Sequence, residues 1–177
     1  MRLFIALPLP ETARTTLEAL QSRFPTGRTV PFDNLHLTLA FLGDQTEEQA
    51  EAIHEGLQTL RSPAQRLTLS DGTVLGGRHG QAIALEADGG ADLTTLHTRV
   101  LSRLRGVGIA PERRRFRPHV TLSRMGAREN AGPVLAVLAS ATVGPFVCDA
   151  VSLYASTLHP DGAIHEELSR YPLAVLI

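Results

Sequence analysis

The sequence predicts an α+β protein whose two halves are pseudo-symmetric about a central cleft. One motif occurs twice, as His36-Leu37-Thr38-Leu39 and His119-Val120-Thr121-Leu122, almost half a chain length apart. In each half a helix-like pattern and an irregular loop precede the motif. Because successive side chains of a strand point to opposite faces, the His and Thr of each motif share one face and the apolar residues share the other. Two such strands, placed face to face, would present two imidazoles and two hydroxyls to one ligand.

The first half predicts two strands and two helices. Apolar residues recur at helical spacing from Ala13 to Phe24. Thr46 followed three residues later by Gln49 is a capping box, which begins the second helix. The predicted elements, in order, are a buried strand at 2–7 ended by Pro8 and Pro10, a helix from Pro10 that stops at Pro25-Thr26-Gly27, the first His-Thr strand closed by Gly43-Asp44, and a helix that ends at Ser62-Pro63.

The second half of the sequence contains short runs in which apolar and polar residues alternate, and these runs predict more strands than in the first half. Its long helix carries four apolar residues on one face: Leu93, Leu96, Val100 and Leu104. The predicted elements, in order, are strands near 67–69 and 82–85 around a glycine-rich turn at 76–80, a helix capped by Asp92 and ended by Gly106 and Gly108, the second His-Thr strand, a short helix at 133–139, and a hairpin with arms from Phe146 to Thr157 and up to Ile177 around the turn His159-Pro160-Asp161-Gly162.

Length and composition predict one domain, residues 1–177, with two lobes that each contribute one His-Thr strand. The hydrophobic fraction is 43% and the net charge is −1, so composition gives no case for bulk nucleic-acid or membrane binding. The single cysteine, Cys148, excludes an intramolecular disulfide and lies in an apolar run, which favours a buried structural thiol. No stretch approaches the roughly 18 apolar residues of a membrane span. We expect a cytoplasmic, monomeric enzyme without an obligate protein partner.

Two histidines and two threonines on one cleft are the groups needed for phosphodiester chemistry without a metal. One neutral imidazole removes a proton from the nucleophile, and one imidazolium protonates the leaving oxygen. The hydroxyls donate to the non-bridging oxygens, where charge builds up in the transition state. A single His-x-Thr in a strand carries little information, because Thr is a good strand former and a lone His is usually structural. The repetition of the motif within matching apolar strands favours a functional pair.

The residues around both motifs resemble the two signature segments of the 2H phosphoesterase superfamily. These are Asn34-Leu35-His36-Leu37-Thr38-Leu39-Ala40-Phe41-Leu42-Gly43 and Arg117-Pro118-His119-Val120-Thr121-Leu122-Ser123-Arg124. The branch that the chain resembles is the RNA 2′,3′-cyclic phosphodiesterases, long called 2′-5′ RNA ligases. The opening segment 2–7 and the segment 153–156 are also similar to that branch, so the resemblance covers nearly the whole chain.

The resemblance implies antiparallel sheets lining the cleft, with helices outside. It also implies hydrolysis of an RNA 2′,3′-cyclic phosphate end to a 2′-phosphate, without a metal or cofactor, and the reverse 2′-5′ ligation by the same groups. By motif position, His36 is the proton donor to the leaving 3′ oxygen and His119 is the base that activates water. Thr38 and Thr121 hold the phosphate. A near-symmetric site allows the opposite assignment of donor and base, which therefore stays open.

Several residues near the motifs are candidates for substrate binding. Arg124 matches an arginine common in this branch, but in a regular strand it would point away from His119, so a ligand role requires a bulge. Arg117 would lie on the cleft face if the strand extends past Pro118. The basic run that contains Arg117, residues 113–117, is either a guide for the RNA backbone or a solvated loop.

Strand alternation assigns Phe41 to the core, whereas Phe32 and Phe116, in the loops before each motif, are candidates for base stacking. Tyr154 and Ser156 share one strand face and are candidates for the border of the cleft. The other histidines show no metal-ligand spacing and are predicted to lie at the surface: His54, His79, His97, His159 and His165.

Three alternatives remain open from the sequence. The first is the same chemistry on a small substrate, such as a nucleotide or an ADP-ribose cyclic phosphate. The second is a module that binds a nucleotide or an RNA end without turning it over. The third is a metallohydrolase that uses His36 and His119 as ligands, which the lack of acidic residues in both motifs disfavours.

Overall fold

The computed structural model describes residues 1–175, so the end of the last predicted strand, Leu176 and Ile177, lies outside the described residues. Within them, nine strands and four helices follow one another. They are β1 (Arg2–Pro8), α1 (Glu11–Gln21), β2 (Arg28–Thr29), β3 (His36–Asp44), α2 (Glu47–Gln58), β4 (Gln65–Gly76), β5 (Gln81–Asp88), α3 (Gly90–Gly106), β6 (His119–Met125), α4 (Gly132–Leu138), β7 (Val143–Cys148), β8 (Ala150–His159) and β9 (Gly162–Pro172).

The strands form two antiparallel sheets. The first sheet has the order β3-β1-β8-β9, and the second has the order β2-β6-β5-β4-β7. Helix α3 packs on β3 of the first sheet and α2 packs beside it on β9, whereas α1 and α4 pack on strands of the second sheet. Each sheet therefore has two helices behind it. The predicted α+β fold, with two antiparallel sheets and outer helices, is confirmed.

The hydrophobic core lies between the helices and the back faces of the sheets. Leu37 of β3 and Val120 of β6 are completely buried there, as the alternation in the two motifs predicts. All four apolar residues predicted for the face of α3 are buried: Leu93, Leu96, Val100 and Leu104. The capping box of α2 is also present, because the Thr46 hydroxyl accepts from the Gln49 N–H and the Gln49 side chain accepts from the Thr46 N–H.

A β-bulge interrupts the alternation at the same point of both His-Thr strands. The extra residue is Leu39 in β3, opposite β1, and Leu122 in β6, opposite β5. Because of the extra residue, the side chain two positions after it points to the cleft face. This side chain is Phe41 in β3 and Arg124 in β6. The prediction that Phe41 belongs to the core is therefore wrong, since Phe41 is 37% exposed. The bulge that a ligand role of Arg124 requires is present.

The sequence predicts one hairpin for the last forty residues, and this prediction is wrong. Strand β7 pairs with β4 in the second sheet, and the chain changes sheets at Asp149. Only β8 and β9 form the hairpin, whose turn between His159 and Gly162 lies where it was predicted. Local alternation is the same on both sides of Asp149 and carries no information on which sheet a strand joins.

The capping role predicted for Asp92 is also wrong, because α3 begins two residues before Asp92. At that point the Gly90 N–H donates to the Asp88 carboxylate (3.0 Å).

Candidate active site

The two His-Thr strands lie beside each other where the two sheets meet. β3 is the edge strand of the first sheet and contacts β6 of the second. His36 and Thr38 on β3, and His119 and Thr121 on β6, are all partly exposed and lie on the cleft faces of their strands, whereas the residue that follows each of them is buried. Thr38 and His119 line one cavity. The structure thus brings residues from the two halves of the chain to one place.

Both histidines are held in the same way by their own backbone. The Nδ1 of His36 lies 2.6 Å from the carbonyl oxygen of Asn34, and the Nδ1 of His119 lies 2.6 Å from the carbonyl oxygen of Arg117. Because a carbonyl can only accept, each Nδ1 carries the proton and donates it. Each Nε2 is then the nitrogen that is available to a ligand. In His36 this nitrogen lies 2.9 Å from the Thr38 hydroxyl, which donates to it while the imidazole is neutral.

The surroundings of His36 disfavour its charged form. Burial is the main cause that lowers the pKa of His36 to about 4; the nearby charges of His165, Arg124 and His119 act in the same direction, and the hydrogen bond to Asn34 opposes them. In the absence of a ligand, His36 is therefore neutral at pH 7. A bound phosphate would bring the opposite charge and raise this pKa.

A third histidine, His165, lies in the cleft, contrary to the surface position that the sequence predicts. The ring centroid of His165 is 5.3 Å from that of His36 and 4.9 Å from that of Phe4, with edge-on geometry in both cases. Burial, followed by the charge of Arg124, lowers the pKa of His165. In the hairpin of β8 and β9, His165 pairs with Ser156. This pairing can be counted from the predicted turn, so the sequence contains a signal that His165 lies beside the cleft.

Aromatic side chains from β1 and β8 also lie beside His36 on this sheet face. Tyr154 stacks on Phe4 with ring centroids 5.1 Å apart, and its own ring is 6.3 Å from that of His36. Tyr154 and Ser156 pair with Phe4 and Arg2 in the register of β8 with β1. Both residues therefore lie on the sheet face that carries His36, where the sequence places them.

The two candidate arginines have different surroundings. Within residues 1–175, the Arg124 side chain forms no ion pair and no hydrogen bond, although its charge acts on both His36 and His165. Arg117 instead donates to the Glu86 carboxylate (2.9 Å) and to the Thr73 hydroxyl (3.1 Å). Arg124 is thus available to an anion, whereas Arg117 already has a counterion.

A buried glutamine stabilises the bulge that orients Arg124. The Gln21 side-chain amide, only 7% exposed, donates to the carbonyl oxygens of Leu122 and Val30, both at 2.9 Å. The Val30 N–H also donates to the Leu122 carbonyl (2.9 Å). Leu122 is the extra residue of the bulge, so α1 and the segment after β2 hold the point where β6 turns Arg124 toward the cleft.

The remaining histidines occupy different environments. His79 and His159 are exposed, as predicted. The other two are half-buried, contrary to the prediction, because each packs on an aromatic residue that is distant in sequence. The His54 ring hydrogen-bonds the Tyr171 hydroxyl (2.9 Å), and His97 stacks on Phe116 with ring centroids 3.8 Å apart.

Cys148 is 1% exposed, and burial raises the pKa of its thiol to about 12, which fits the predicted structural role.

Across the described part of the chain, no three His, Cys, Asp or Glu side chains are grouped so that they could hold a metal ion. None of the helices in residues 1–175 has the length and apolar character needed to cross a membrane.

Known proteins are similar to this chain in sequence and in fold. The family model of the 2′-5′ RNA ligase superfamily matches residues 8–159. The RNA 2′,3′-cyclic phosphodiesterase of Escherichia coli is 36% identical over 127 residues, which cover 70% of this chain and 71% of the relative. That of Methanocaldococcus jannaschii is 27% identical over 176 residues, which cover 97% of this chain and 100% of the relative. The crystal structure of E. coli LigT complexed with 3′-AMP has a TM-score of 0.77 and 28% identity, with 97% of each chain covered. The predicted family resemblance is therefore confirmed, and the chain belongs to the 2′-5′ RNA ligase superfamily.

Proposed function

We propose that this protein hydrolyses RNA 2′,3′-cyclic phosphate ends to 2′-phosphate ends by two-histidine acid–base catalysis, without a metal. The observation that carries the proposal is the equivalent placement of the two motifs. Each imidazole has its Nδ1 fixed to the backbone at 2.6 Å and leaves Nε2 for the substrate. The names of the relatives support the same substrate class.

The proposed reaction moves one proton at each end of the phosphate. Neutral His119 takes a proton from water at Nε2 as the water oxygen bonds to phosphorus. The bond from phosphorus to the 3′ oxygen breaks, and the His36 imidazolium gives its proton to that oxygen. The hydroxyls of Thr38 and Thr121 donate to the non-bridging oxygens. The product carries a 2′-phosphate and a free 3′-hydroxyl.

The low pKa of His36 sets a condition on this assignment. His36 can donate only if the negative phosphodiester raises its pKa on binding, so that Nε2 gains a proton and Thr38 turns its hydroxyl to the phosphate. The opposite assignment, with His36 as the base, needs no such rise. A substrate whose leaving group needs no protonation separates the two. If His36 is the donor, His36→Ala loses much less activity on a nitrophenyl phosphodiester than on the cyclic phosphate, while His119→Ala loses activity on both.

Formation of a 2′-5′ linkage requires no additional catalytic group. If a 5′-hydroxyl replaces water, His119 takes its proton, the 3′ oxygen leaves with the proton from His36, and a 2′-5′ linkage forms. We propose that ligation is the same chemistry with a different nucleophile.

The decisive experiment is hydrolysis of an RNA with a 2′,3′-cyclic phosphate end in excess EDTA, with the product isomer identified. We expect a 2′-phosphate product and a loss of about 10²-fold or more in His36→Ala and His119→Ala. The exposed His159→Ala is the matched control and should keep full activity. Binding of the RNA end without turnover would instead indicate a binding module. Turnover of only small nucleotide or ADP-ribose cyclic phosphates would change the substrate class.

A further inference from the structure

The two ends of the cleft use equivalent positions of the two motifs but differ in their chemistry. The residue five positions after each histidine follows the bulge and faces the cleft, and it is Phe41 in β3 and Arg124 in β6. Phe41 lines the same cavity as His119. The charge of Arg124 instead acts on His36 and His165. An aromatic side chain therefore lies at the His119 end of the cleft, and a permanent positive charge lies at the His36 end.

His165 of β9 is the third side chain at the His36 end. Its ring centroid lies 5.3 Å from that of His36 and 4.9 Å from that of Phe4. The Phe4 ring is also 5.0 Å from the His36 ring, so one buried phenyl ring supports both imidazoles. Within residues 1–175, neither nitrogen of His165 has a hydrogen-bond partner, so both are available to a ligand.

Asn34 fixes the positions of both rings. Its backbone carbonyl accepts from the Nδ1 of His36 (2.6 Å), and its side-chain amide donates to the Ala163 carbonyl oxygen (2.9 Å), two residues before His165. The hairpin of β8 and β9 is thereby attached to the loop that precedes β3. The two imidazoles are held near each other before a ligand arrives, and a preformed site loses less conformational entropy on binding.

The charged groups that face His165 from other strands are all basic. His36 comes from β3 and Arg124 from β6. On β1, the exposed Arg2 lies opposite Ser156, which in turn lies opposite His165. Arg124 belongs to the second sheet and His165 to the first, so an anion between them would be held from both sheets.

The acidic residue on the same face of β9, Glu167, already has partners. Its carboxylate accepts from the Ser152 hydroxyl (2.9 Å) and from Arg170 (3.3 Å). The neighbouring Tyr154 is uncharged at pH 7, because burial raises the pKa of its hydroxyl. These groups therefore leave the positive charge around His165 without a counterion.

We propose that His165 binds the substrate, as a ligand of a phosphate group at the His36 end of the cleft. The inference rests on the proposed function, because it takes the reacting phosphate to lie at the Nε2 of His36. In the free protein, burial and the charge of Arg124 lower the pKa of His165, so its ring is neutral at pH 7. A phosphate brings the opposite charge, so His165 takes up a proton and donates a charge-assisted hydrogen bond to the phosphate oxygen.

Two phosphate groups of the RNA have the chemistry that this site requires. One is the reacting phosphate, since the His165 ring lies close to the His36 ring. The other is the phosphodiester that joins the terminal nucleoside to the rest of the RNA. In the second case His165 would favour RNA ends over nucleotides that carry a single phosphate.

Calorimetric titration of His165→Phe with two nucleotides distinguishes these sources. This variant keeps an aromatic ring against Phe4 but has no donor. The ligand 2′-AMP carries only the phosphate that the proposed reaction leaves on the nucleoside, whereas adenosine 2′,5′-bisphosphate adds a phosphate in place of the preceding phosphodiester. We expect the bisphosphate to bind about tenfold more weakly than to the wild type. An equal loss for 2′-AMP assigns His165 to the reacting phosphate, and a loss for the bisphosphate alone assigns it to the preceding phosphodiester.

Proton uptake gives a second readout, which packing alone would not change. Titration at about pH 6.5, in buffers with different ionisation enthalpies, measures the protons that the protein takes up on binding. His165→Gln keeps a neutral donor, so it should lose less affinity than His165→Phe but take up fewer protons than the wild type, by up to about one proton. The exposed His159→Gln, at the turn of the same hairpin, is the matched control and should behave as the wild type.

Unchanged binding of both nucleotides in His165→Phe, or unchanged proton uptake in His165→Gln, would overturn the proposal. None of these titrations requires turnover. If the wild-type protein fails to hydrolyse cyclic phosphate ends but the His165 variants lose nucleotide binding as expected, the proposed function fails while the role of His165 as a phosphate ligand stands.

Discussion

His165 lies edge-on to His36, with ring centroids 5.3 Å apart and ring planes at 71°. Neither nitrogen of His165 has a hydrogen-bond partner within residues 1–175, and its charge is one of the causes that lower the pKa of His36. A third imidazole at this position can donate to a bound phosphate and can disfavour protonation of its neighbour.

We therefore expect His165→Gln to raise the pKa of His36 toward its ordinary value, because a like charge is removed. The measurement is an NMR pH titration of the His36 ring, together with the pH profile of kcat/KM. With His36 as the proton donor, the alkaline limb of that profile should move to higher pH. The exposed His159→Gln is the control and should change neither. An unchanged His36 titration in His165→Gln would show that the two rings are not electrostatically coupled.

The stability of the free protein should depend on His36. Its pKa is about 4 in the folded state and 6.5 ordinarily, so between these values the unfolded chain binds more protons. The free energy of unfolding therefore falls as the pH decreases from about 6.5 to about 4. Urea unfolding at several pH values should show a smaller decline in His36→Gln. Some decline remains, because His97 and His165 also have lowered pKa values. An identical decline in His36→Gln would exclude His36 as a source of the pH dependence.

Arg124 should contribute much more to phosphate binding than Arg117. Arg124 has no counterion among the described residues, whereas Arg117 is paired with Glu86. Loss of a charge-assisted hydrogen bond costs about 1.5–3 kcal/mol, so Arg124→Gln should raise the dissociation constant for phosphate about tenfold or more. Arg117→Gln serves as the comparison and should change it by less than about threefold. Equal effects of the two variants would contradict a direct role of Arg124.

Gln21 should influence activity through Arg124. Replacement by Leu removes the donor to the Leu122 and Val30 carbonyls, which should lower the free energy of unfolding by about 1–3 kcal/mol. Because the bulge orients Arg124, Gln21→Leu should also lower kcat/KM. The same replacement should lower kcat/KM by a smaller factor when Arg124 is already replaced by Gln. The control is Ser22→Ala, at the exposed residue that directly follows α1. Fully additive losses in the double variant would show that Gln21 acts on activity independently of Arg124.

Much of the fold could be predicted from the sequence, because the signals are local. The capping box at Thr46 and Gln49 and the apolar face of α3 each depend on residues within a few positions of one another. The hairpin turn between His159 and Gly162 is equally local. The strand break at Asp149 was missed, since the choice of sheet depends on pairing with β4, about eighty residues earlier.

The candidate catalytic residues can be predicted from local spacing in the sequence. The spacing of His and Thr within each motif places both on one strand face, and the repetition of the motif predicts that the two strands meet at one cleft. The surroundings of these residues depend on how distant segments of the chain pack together. The bulges at Leu39 and Leu122 bring Phe41 and Arg124 to the cleft face, contrary to simple alternation. His165 approaches His36 because β9 folds back beside β8 in the first sheet. Bulges and strand order are fixed by hydrogen bonding between distant segments, whereas side-chain alternation is a property of each strand alone.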